Sequence, residues 1–176
     1  HSVAPGPVFG RPTGAWRPAA DQPADRALPA PAPGARLPVI LFTTSGTTKG
    51  PKLVMHSAGT LYAHSDCVAN AYGFHEAGTR LLAALPLCGV FGLNGALTAL
   101  RAGAPIIMMD LFDAPRAARY MRDERITHLF GSDEMLRRIA DETTDARPFP
   151  HARMLGFASF SPGAAELVRT LQQRGF

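Results

Sequence analysis

The sequence predicts an α/β fold in which a mostly parallel, doubly wound sheet is built from alternating strands and helices. From residue 37 onward, segments of strand and helix character alternate five times. The predicted strands are apolar without a period-two alternation, which indicates that both of their faces are buried. Right-handed crossovers between such strands produce a parallel sheet, and ligands then bind at the carboxyl ends of the strands.

Composition divides the 176-residue chain into two parts. Residues 1–36 are rich in Pro, Ala and Gly, with single charges between them. Because proline removes a backbone donor and favours extended chain, this part is predicted to be an arm or linker. Residues 37–176 carry the regular pattern and are predicted to form the α/β unit.

The first half of the regular part contains two strands and two helices. Ser57 can cap a helix, because its hydroxyl can accept a hydrogen bond from the first turn. Pro86 ends a strand, and Gly103 stops a helix. The predicted elements are a buried strand at 39–43, a helix from Ser57 to about Tyr72, a strand at 81–85 and a short apolar helix at 93–101.

The second half repeats the alternation three times. Ser132 is the predicted start of one of its helices. The helix near residue 120 is amphipathic, with Ala117, Tyr120 and Met121 on one side. The predicted elements are strands at 105–109, 127–130 and 154–158, and helices at 114–124, 133–141 and 164–174.

A polar loop follows the first predicted strand and is the strongest functional signal in the chain. Residues 43–52 contain five hydroxyl side chains, two glycines and two lysines. Hydroxyls, free backbone N–H groups and ammonium groups all suit phosphate oxygens, and glycine lets the backbone approach an anion. An ordinary turn has a similar composition. A Walker A loop does not fit, because Gly46 and Gly50 enclose only three residues and Leu53 stands where Ser or Thr is needed.

The same loop closely resembles the phosphate-loop motif of the acyl-adenylating (AMP-forming) superfamily, which includes acyl-CoA synthetases and adenylation domains. The family core reads T-S-G-[ST]-T-G-x-P-K-G, and residues 44–52 read TSGTTKGPK. Residues 85–93, LPLCGVFGL, are similar to the family segment L-P-L-F-H-x-x-G-L. Lys49 replaces a family glycine, and Cys88 with Gly89 replaces the F-H pair. Residues 159–162 stand where the family has Gly-Gly-Ala-Pro.

The resemblance implies site residues. Lys52 takes the catalytic role of offsetting charge on the departing pyrophosphate, and Gly89, Phe91, Asn94 and Phe160 lie on the acid side. The implied nucleotide-binding residues are Thr44, Ser45, Gly46, Thr47, Thr48, Lys49, Gly50 and Lys52.

The resemblance also implies an activity. The parent enzyme uses ATP to convert a carboxylic acid to an acyl-adenylate, releases pyrophosphate, and then forms a thioester with CoA. Mg²⁺ is expected, with its family ligand outside this chain. The chain is expected to be a fragment of the family's large N-terminal domain and inactive alone. Two alternatives stay open, namely an adenylation domain that loads a carrier-protein thiol and a nucleotide-binding module without chemistry.

Composition excludes several other classes. The formal net charge of +4 comes from dispersed basic residues, which argues against a nucleic-acid interface. The uncharged stretch at 81–100 contains proline, glycine and asparagine, so a membrane span is not expected. Two cysteines, Cys67 and Cys88, do not make a disulfide framework, and a cytoplasmic location is expected. Cys67 is expected to be buried in a helix. A chain that lacks its neighbouring subdomains exposes apolar surface, so self-association is expected.

Overall fold

A computed structural model describes residues 36–44, 52–159 and 163–174. Six strands and five helices follow one another in the described residues. The strands are β1 Pro38–Thr44, β2 Lys52–Ser57, β3 Leu81–Ala83, β4 Ile106–Met108, β5 His128–Ser132 and β6 Met154–Ala158. The helices are α1 Ala58–Ala71, α2 Val90–Ala102, α3 Ala114–Asp123, α4 Asp133–Asp141 and α5 Ala164–Gln173.

The central sheet has the predicted parallel architecture. Its strands lie in the order β4-β3-β5-β6, and every pairing is parallel. From β3 the chain crosses through α2 to β4 on one side, and then through α3 to β5 on the other side. The change of direction beside β3 is the arrangement of a doubly wound sheet, which confirms the predicted fold class.

Each face of this sheet carries its own hydrophobic core. Leu82 and Leu129 belong to the core formed with α3, α4 and α5. Leu81, Ala83 and Phe130 belong to the core formed with α1 and α2. The division follows from strand geometry, since successive side chains point to opposite faces. Burial on both faces explains why these strands lack polar alternation.

Strand β1 does not belong to the central sheet, so the prediction of a buried first strand was wrong. Among the described residues its one partner is β2, with which it forms a separate antiparallel two-stranded sheet. Leu41 remains 58% exposed and Leu53 67% exposed. Apolar content alone could not reveal this, because it does not say which partner covers a strand. Strand β2 was not predicted at all.

Several helix ends follow the predicted capping chemistry. Ser57 caps α1 by accepting a hydrogen bond from the Thr60 N–H, and Ser132 caps α4 through the Met135 N–H. Gly103 ends α2 in the left-handed conformation at φ 70°. Cys67 lies in α1 as predicted, but it is exposed rather than buried.

Candidate functional site

The β1–β2 hairpin brings the two ends of the polar motif together. Thr44 and Lys52 lie opposite each other as the last pair of the antiparallel ladder. Lys52 is exposed at this end of the hairpin. The rest of the motif, namely Ser45, Gly46, Thr47, Thr48, Lys49, Gly50 and Pro51, lies outside the described residues. The described strands therefore fix where the loop begins and ends.

The lysine content of the chain is concentrated in this motif. Lys49 and Lys52 are the two lysines of the whole sequence, and all other basic side chains, His aside, are arginine. A lysine head is a compact point charge with three donors, which suits an anion that presents several oxygens. An ordinary surface turn has no requirement for such a distribution.

A cavity of about 520 Å³ lies on the face of the sheet that α1 and α2 cover. Helix α2 packs over β3, β4 and β5, and α1 packs against α2. Strand β6 is the last in the strand order, and all five of its residues are half buried. The residues that line the cavity are His64, Val68, Tyr72, Phe91, Asn94, Gly95, Phe130, Met154, Gly156 and Phe157.

The Phe130 ring is held between two glycines. A Cβ atom added to Gly156 would lie 2.6 Å from Cδ1 of Phe130 and 2.8 Å from Cε1. A Cβ atom added to Gly95 would lie 3.1 Å from Cδ2 on the other edge. Gly156 is the register partner of Phe130 in the β5–β6 ladder, and Gly95 lies on α2. The absence of both side chains makes room for the ring.

Further rings connect Phe130 to the core and to the cavity. Phe91 lies at 5.6 Å between ring centroids, tilted by 57°, and Tyr72 lies at 6.3 Å in an edge-on arrangement. Phe74 stacks nearly parallel to Phe130 at 6.1 Å from the buried side. Such offset and tilted arrangements are favourable for aromatic rings. The cavity wall is therefore the exposed end of a packed aromatic cluster.

Buried His128 fixes the position of the Tyr72 backbone. Its Nε2 donates to the Tyr72 carbonyl at 2.7 Å, and its Nδ1 lies 2.7 Å from Oγ1 of Thr127. Since a carbonyl only accepts, Nε2 carries a proton. The Thr127 hydroxyl has one proton and two acceptors within reach, Nδ1 of His128 and the Arg80 carbonyl at 3.0 Å. Burial lowers the pKa of His128 from its ordinary value, which favours the neutral ring. His128 is therefore a core residue whose two ring nitrogens both have neighbours within hydrogen-bond distance.

The segment before α2 orients the residues that α2 presents to the cavity. The Gly89 N–H donates to the Pro86 carbonyl at 3.1 Å, and Gly89 is the N-cap residue of α2. A Cβ atom at Gly92 would lie 2.3 Å from the Pro86 carbonyl oxygen, so only glycine fits there. This close approach fixes the first turn, from which Phe91 and Asn94 reach the cavity.

The four residues predicted for the acid side fall in different places. Phe91 and Asn94 line the cavity, whereas Gly89 is not among the lining residues. Phe160 lies outside the described residues. The rest of the cavity wall consists of residues that were not predicted from the sequence, above all Tyr72, Phe130 and Gly156. One signal was available, because an isolated glycine in a strand often marks a close approach by another group.

A second cavity, of about 400 Å³, lies at the carboxyl ends of β3 and β4 and is lined mostly by apolar side chains. Asp110 lines it and forms an ion pair with Arg116 at 2.8 Å. A hydrogen bond from the Leu111 backbone and the Arg116 guanidinium hold the pKa of Asp110 below its ordinary value. Cys88 also lines this cavity. Asp113 caps α3 by accepting a hydrogen bond from the Arg116 N–H at 2.9 Å.

Within the described ranges, no group of three or more His, Cys, Asp or Glu side chains is arranged to hold a metal ion. No helix among those residues has both the length and the apolar character needed to cross a lipid bilayer.

Comparison with known proteins places this geometry in a family. Residues 8–175 match the AMP-binding enzyme family. The chain belongs to the AMP-binding enzymes. It is 39% identical over 100 residues to an indoleacetate–CoA ligase of Aromatoleum aromaticum, across 55% of this chain and 19% of that protein. It is 33% identical over 100 residues to a 2-succinylbenzoate–CoA ligase of Bacillus licheniformis, across 57% of this chain and 21% of that protein.

Solved structures agree with the family assignment. The o-succinylbenzoate CoA synthetase of Bacillus subtilis, solved with ATP and magnesium, superposes with a TM-score of 0.68 at 26% identity. That match covers 77% of this chain and 28% of the enzyme. A malonyl-CoA ligase solved with methylmalonyl-CoA and AMP gives a TM-score of 0.66 at 31% identity, over 79% of this chain and 31% of that one. The chain therefore spans about a fifth to a third of the length of these relatives.

Proposed function

We propose that this chain forms the phosphate-binding and acid-binding part of an enzyme that activates a carboxylic acid with ATP. The acid becomes an acyl-adenylate, pyrophosphate leaves, and CoA then accepts the acyl group as a thioester. The observation that carries the proposal is the pairing of Thr44 with Lys52, which brings the two ends of the hydroxyl- and lysine-rich motif side by side.

The loop residues suit the tail of a nucleoside triphosphate. Ser45, Thr47 and Thr48 donate through their hydroxyls, and Gly46 and Gly50 through their backbone N–H groups. Thr44 lies at the entry to the loop. Lys49 and Lys52 offset the charge that collects on pyrophosphate as it departs, with Lys52 in the catalytic role. Each hydrogen bond to a charged oxygen contributes about 1.5–3 kcal/mol, so several together can hold a polyphosphate.

The cavity beside α1 and α2 suits the acid. Helix α1 begins directly after β2, so one continuous stretch of chain runs from Lys52 to the cavity residue Tyr72. Phe91 and Asn94 are assigned to this side of the site. Gly89 keeps a supporting role at the start of α2, and Phe160 is assigned to the same side from its position in the sequence.

The chemistry requires positioning more than covalent participation by the protein. An oxygen of the substrate carboxylate attacks the α-phosphorus of ATP, and the bond from that phosphorus to the bridging oxygen breaks. The electron pair leaves with pyrophosphate, whose added charge the lysines stabilise. In the second step the CoA thiol gives up its proton to solvent, its sulfur attacks the acyl carbon, and the bond from that carbon to the phosphate oxygen breaks, so that AMP leaves with the electron pair. Magnesium ordinarily shields the phosphates, but the described residues offer no cluster for it, and we assign it no ligand here.

The known activities of the relatives support a carboxylic acid as the substrate and CoA as the acyl acceptor. The curated relatives are CoA ligases for indoleacetate and for 2-succinylbenzoate, and the structural relatives were solved with ATP or with AMP and a CoA thioester. These properties belong to those proteins. Because this chain spans only part of their length, the same activity for the whole protein is a proposal.

Pyrophosphate binding by the 176-residue chain tests the phosphate loop. Titration calorimetry should show that Lys52→Ala weakens pyrophosphate binding about tenfold or more, since one charge-assisted hydrogen bond is lost. Arg169→Ala is the matched control, because it removes one exposed positive charge from α5. An equal loss of pyrophosphate affinity in the two variants would mean that binding depends only on the net charge of the chain.

Chemical modification gives an independent reading, because the motif contains both lysines. Acylation of the chain with an amine-reactive reagent should be slowed at Lys49 and Lys52 by pyrophosphate, as read by mass spectrometry, while the N-terminal amine reacts at an unchanged rate. In a longer protein that carries this chain, Lys52→Ala should also reduce ATP–pyrophosphate exchange. Unchanged lysine acylation with saturating pyrophosphate would overturn the assignment.

A further inference from the structure

We propose that the cavity between α1, α2 and β6 takes the ring of an aromatic or arylalkanoic acid in preference to a flexible aliphatic acid. This inference rests on the proposed function, because it names the class of acid that the proposed enzyme activates. Phe91 and Phe130 set the preference.

The size of the cavity suits a compact group. Its volume of about 520 Å³ lies within the ordinary range for small-molecule pockets. Strand β6, which contributes Met154, Gly156 and Phe157 to the lining, is half buried along its length, so the cavity is partly open to solvent on this side. A compact rigid ring suits a partly open cavity better than a chain that must extend to be buried.

The wall of the cavity is aromatic and fixed before any ligand arrives. Phe130 is 8% exposed, and the backbones of Gly95 and Gly156 hold its two edges. Phe91 is 36% exposed and tilted by 57° against Phe130, so the two rings form an angled surface. A third ring can join such a surface in the tilted or offset geometry that aromatic groups favour. Because the side chains of this wall are already ordered, little of their conformational entropy is lost when a ligand binds.

The polar side chains of the cavity are few. The described lining contains the imidazole of His64, the amide of Asn94 and the hydroxyl of Tyr72, and no lysine or arginine. A carboxylate placed deep inside would lack a cationic partner, so it stays at the opening while the apolar part enters. An aliphatic chain in the same place would lose rotamer freedom at each bond, a cost that a ring avoids.

Direct binding to the 176-residue chain tests the proposal. Phenylacetate is compared with octanoate, and 1-naphthylacetate with dodecanoate, because the two acids of each pair have the same number of carbons. Methyl-labelled methionine gives the reading in NMR, with Met154 in the cavity and exposed Met55 as the internal reference. Each ring acid should bind about tenfold more tightly than the aliphatic acid with the same number of carbons, and it should cause a ring-current shift of the Met154 methyl signal.

Two variants on one helix separate the aromatic wall from general effects. Phe91→Ala should weaken the binding of the ring acids about fivefold to tenfold, while the affinity for the aliphatic acids should change by less than about twofold. Leu100→Ala is the control, because Leu100 is 65% exposed on α2 and does not line the cavity. Equal or tighter binding of the aliphatic acids would overturn the proposal. So would ring-acid binding that Phe91→Ala leaves unchanged, or that leaves Met154 unperturbed.

The result is distinguishable from the test of the proposed function. Pyrophosphate binding depends on Lys52, whereas acid binding depends on Phe91, and each variant should leave the other ligand unaffected. If the acids fail to discriminate while pyrophosphate still protects the lysines, the substrate class is wrong and the proposed activity stands. If pyrophosphate does not protect the lysines while ring acids shift the Met154 signal, the cavity is still assigned to the ring acid, but the ATP chemistry is not supported.

Discussion

The substitution Gly156→Ala tests whether the aromatic wall is held as tightly as the structure indicates. The new Cβ would lie 2.6 Å from Cδ1 of Phe130, whereas ordinary van der Waals contact begins near 3.4 Å. Phe130 cannot retreat freely, because Gly95 on α2 borders its other edge. The strand or the ring must therefore shift.

The expected cost follows from this overlap. Forcing one extra methyl group into a filled site costs about 1–3 kcal/mol. Replacing glycine by alanine recovers about 0.4–1 kcal/mol by restricting the unfolded chain. The net destabilisation should be about 1–2 kcal/mol. For a chain of this size, that corresponds to a fall in Tm of roughly 2–8 °C.

Gly131→Ala is the matched control. Gly131 lies next to Phe130 on β5, and its register partner is Phe157, next to Gly156 on β6. A Cβ at Gly131 would meet Met135 at 3.5 Å, which is an ordinary contact. This variant should be neutral or slightly stabilising. Both free energies of unfolding can be measured by urea denaturation followed by circular dichroism.

A double-mutant cycle identifies the colliding group. Phe130→Leu shortens the side chain, so Gly156→Ala should cost less in that background than in the original chain. An additive result would show that the cost does not arise at Phe130. A Gly156→Ala variant as stable as Gly131→Ala would refute the reasoning altogether.

Two further outcomes are expected from the described contacts. The pKa of His128 is lowered by burial, so the folded state binds fewer protons than the unfolded state. The free energy of unfolding should therefore fall as the pH drops below about 6.5, and urea denaturation at about pH 7.5 and about pH 5.5 should show a smaller change in His128→Gln. Asp113→Ala removes the cap of α3 and should cost about 1 kcal/mol in the same assay. Asp113→Asn keeps an acceptor oxygen, and a loss equal to that of alanine would contradict the capping role.

Local chemistry made much of the fold predictable. Ser57 and Ser132 carry the hydroxyl that a helix start requires, and Gly103 supplies the left-handed residue that ends α2. The start of α2 was predicted three residues late. Gly89 caps it without a side-chain hydrogen bond, and the surrounding uncharged stretch contains no other boundary signal.

The hairpin was missed because pairing is not a local property. The apolar run of β1 was interpreted as a core strand, yet its partner is β2, which follows the polar motif directly. Residues 52–57 contain a lysine, a histidine and a serine around three apolar residues, a pattern with no clear strand period. Only the antiparallel register between Thr44 and Lys52 shows that the motif connects two paired strands.

The cavity was only partly accessible from the sequence. Phe91 and Asn94 were selected by position, in and directly after residues 85–93, and the structure places both in the wall. Tyr72, Phe130 and Gly156 come from three different elements that the tertiary fold brings together, and no spacing in the chain records that.

The most direct test of the account is a titration of the ¹⁵N-labelled chain with pyrophosphate, followed by amide NMR. The largest shifts should fall on residues 44–52 and should be smaller in Lys52→Ala, while the amides of α5 remain unchanged. Saturable shifts confined to another part of the chain, with residues 44–52 unaffected, would contradict it.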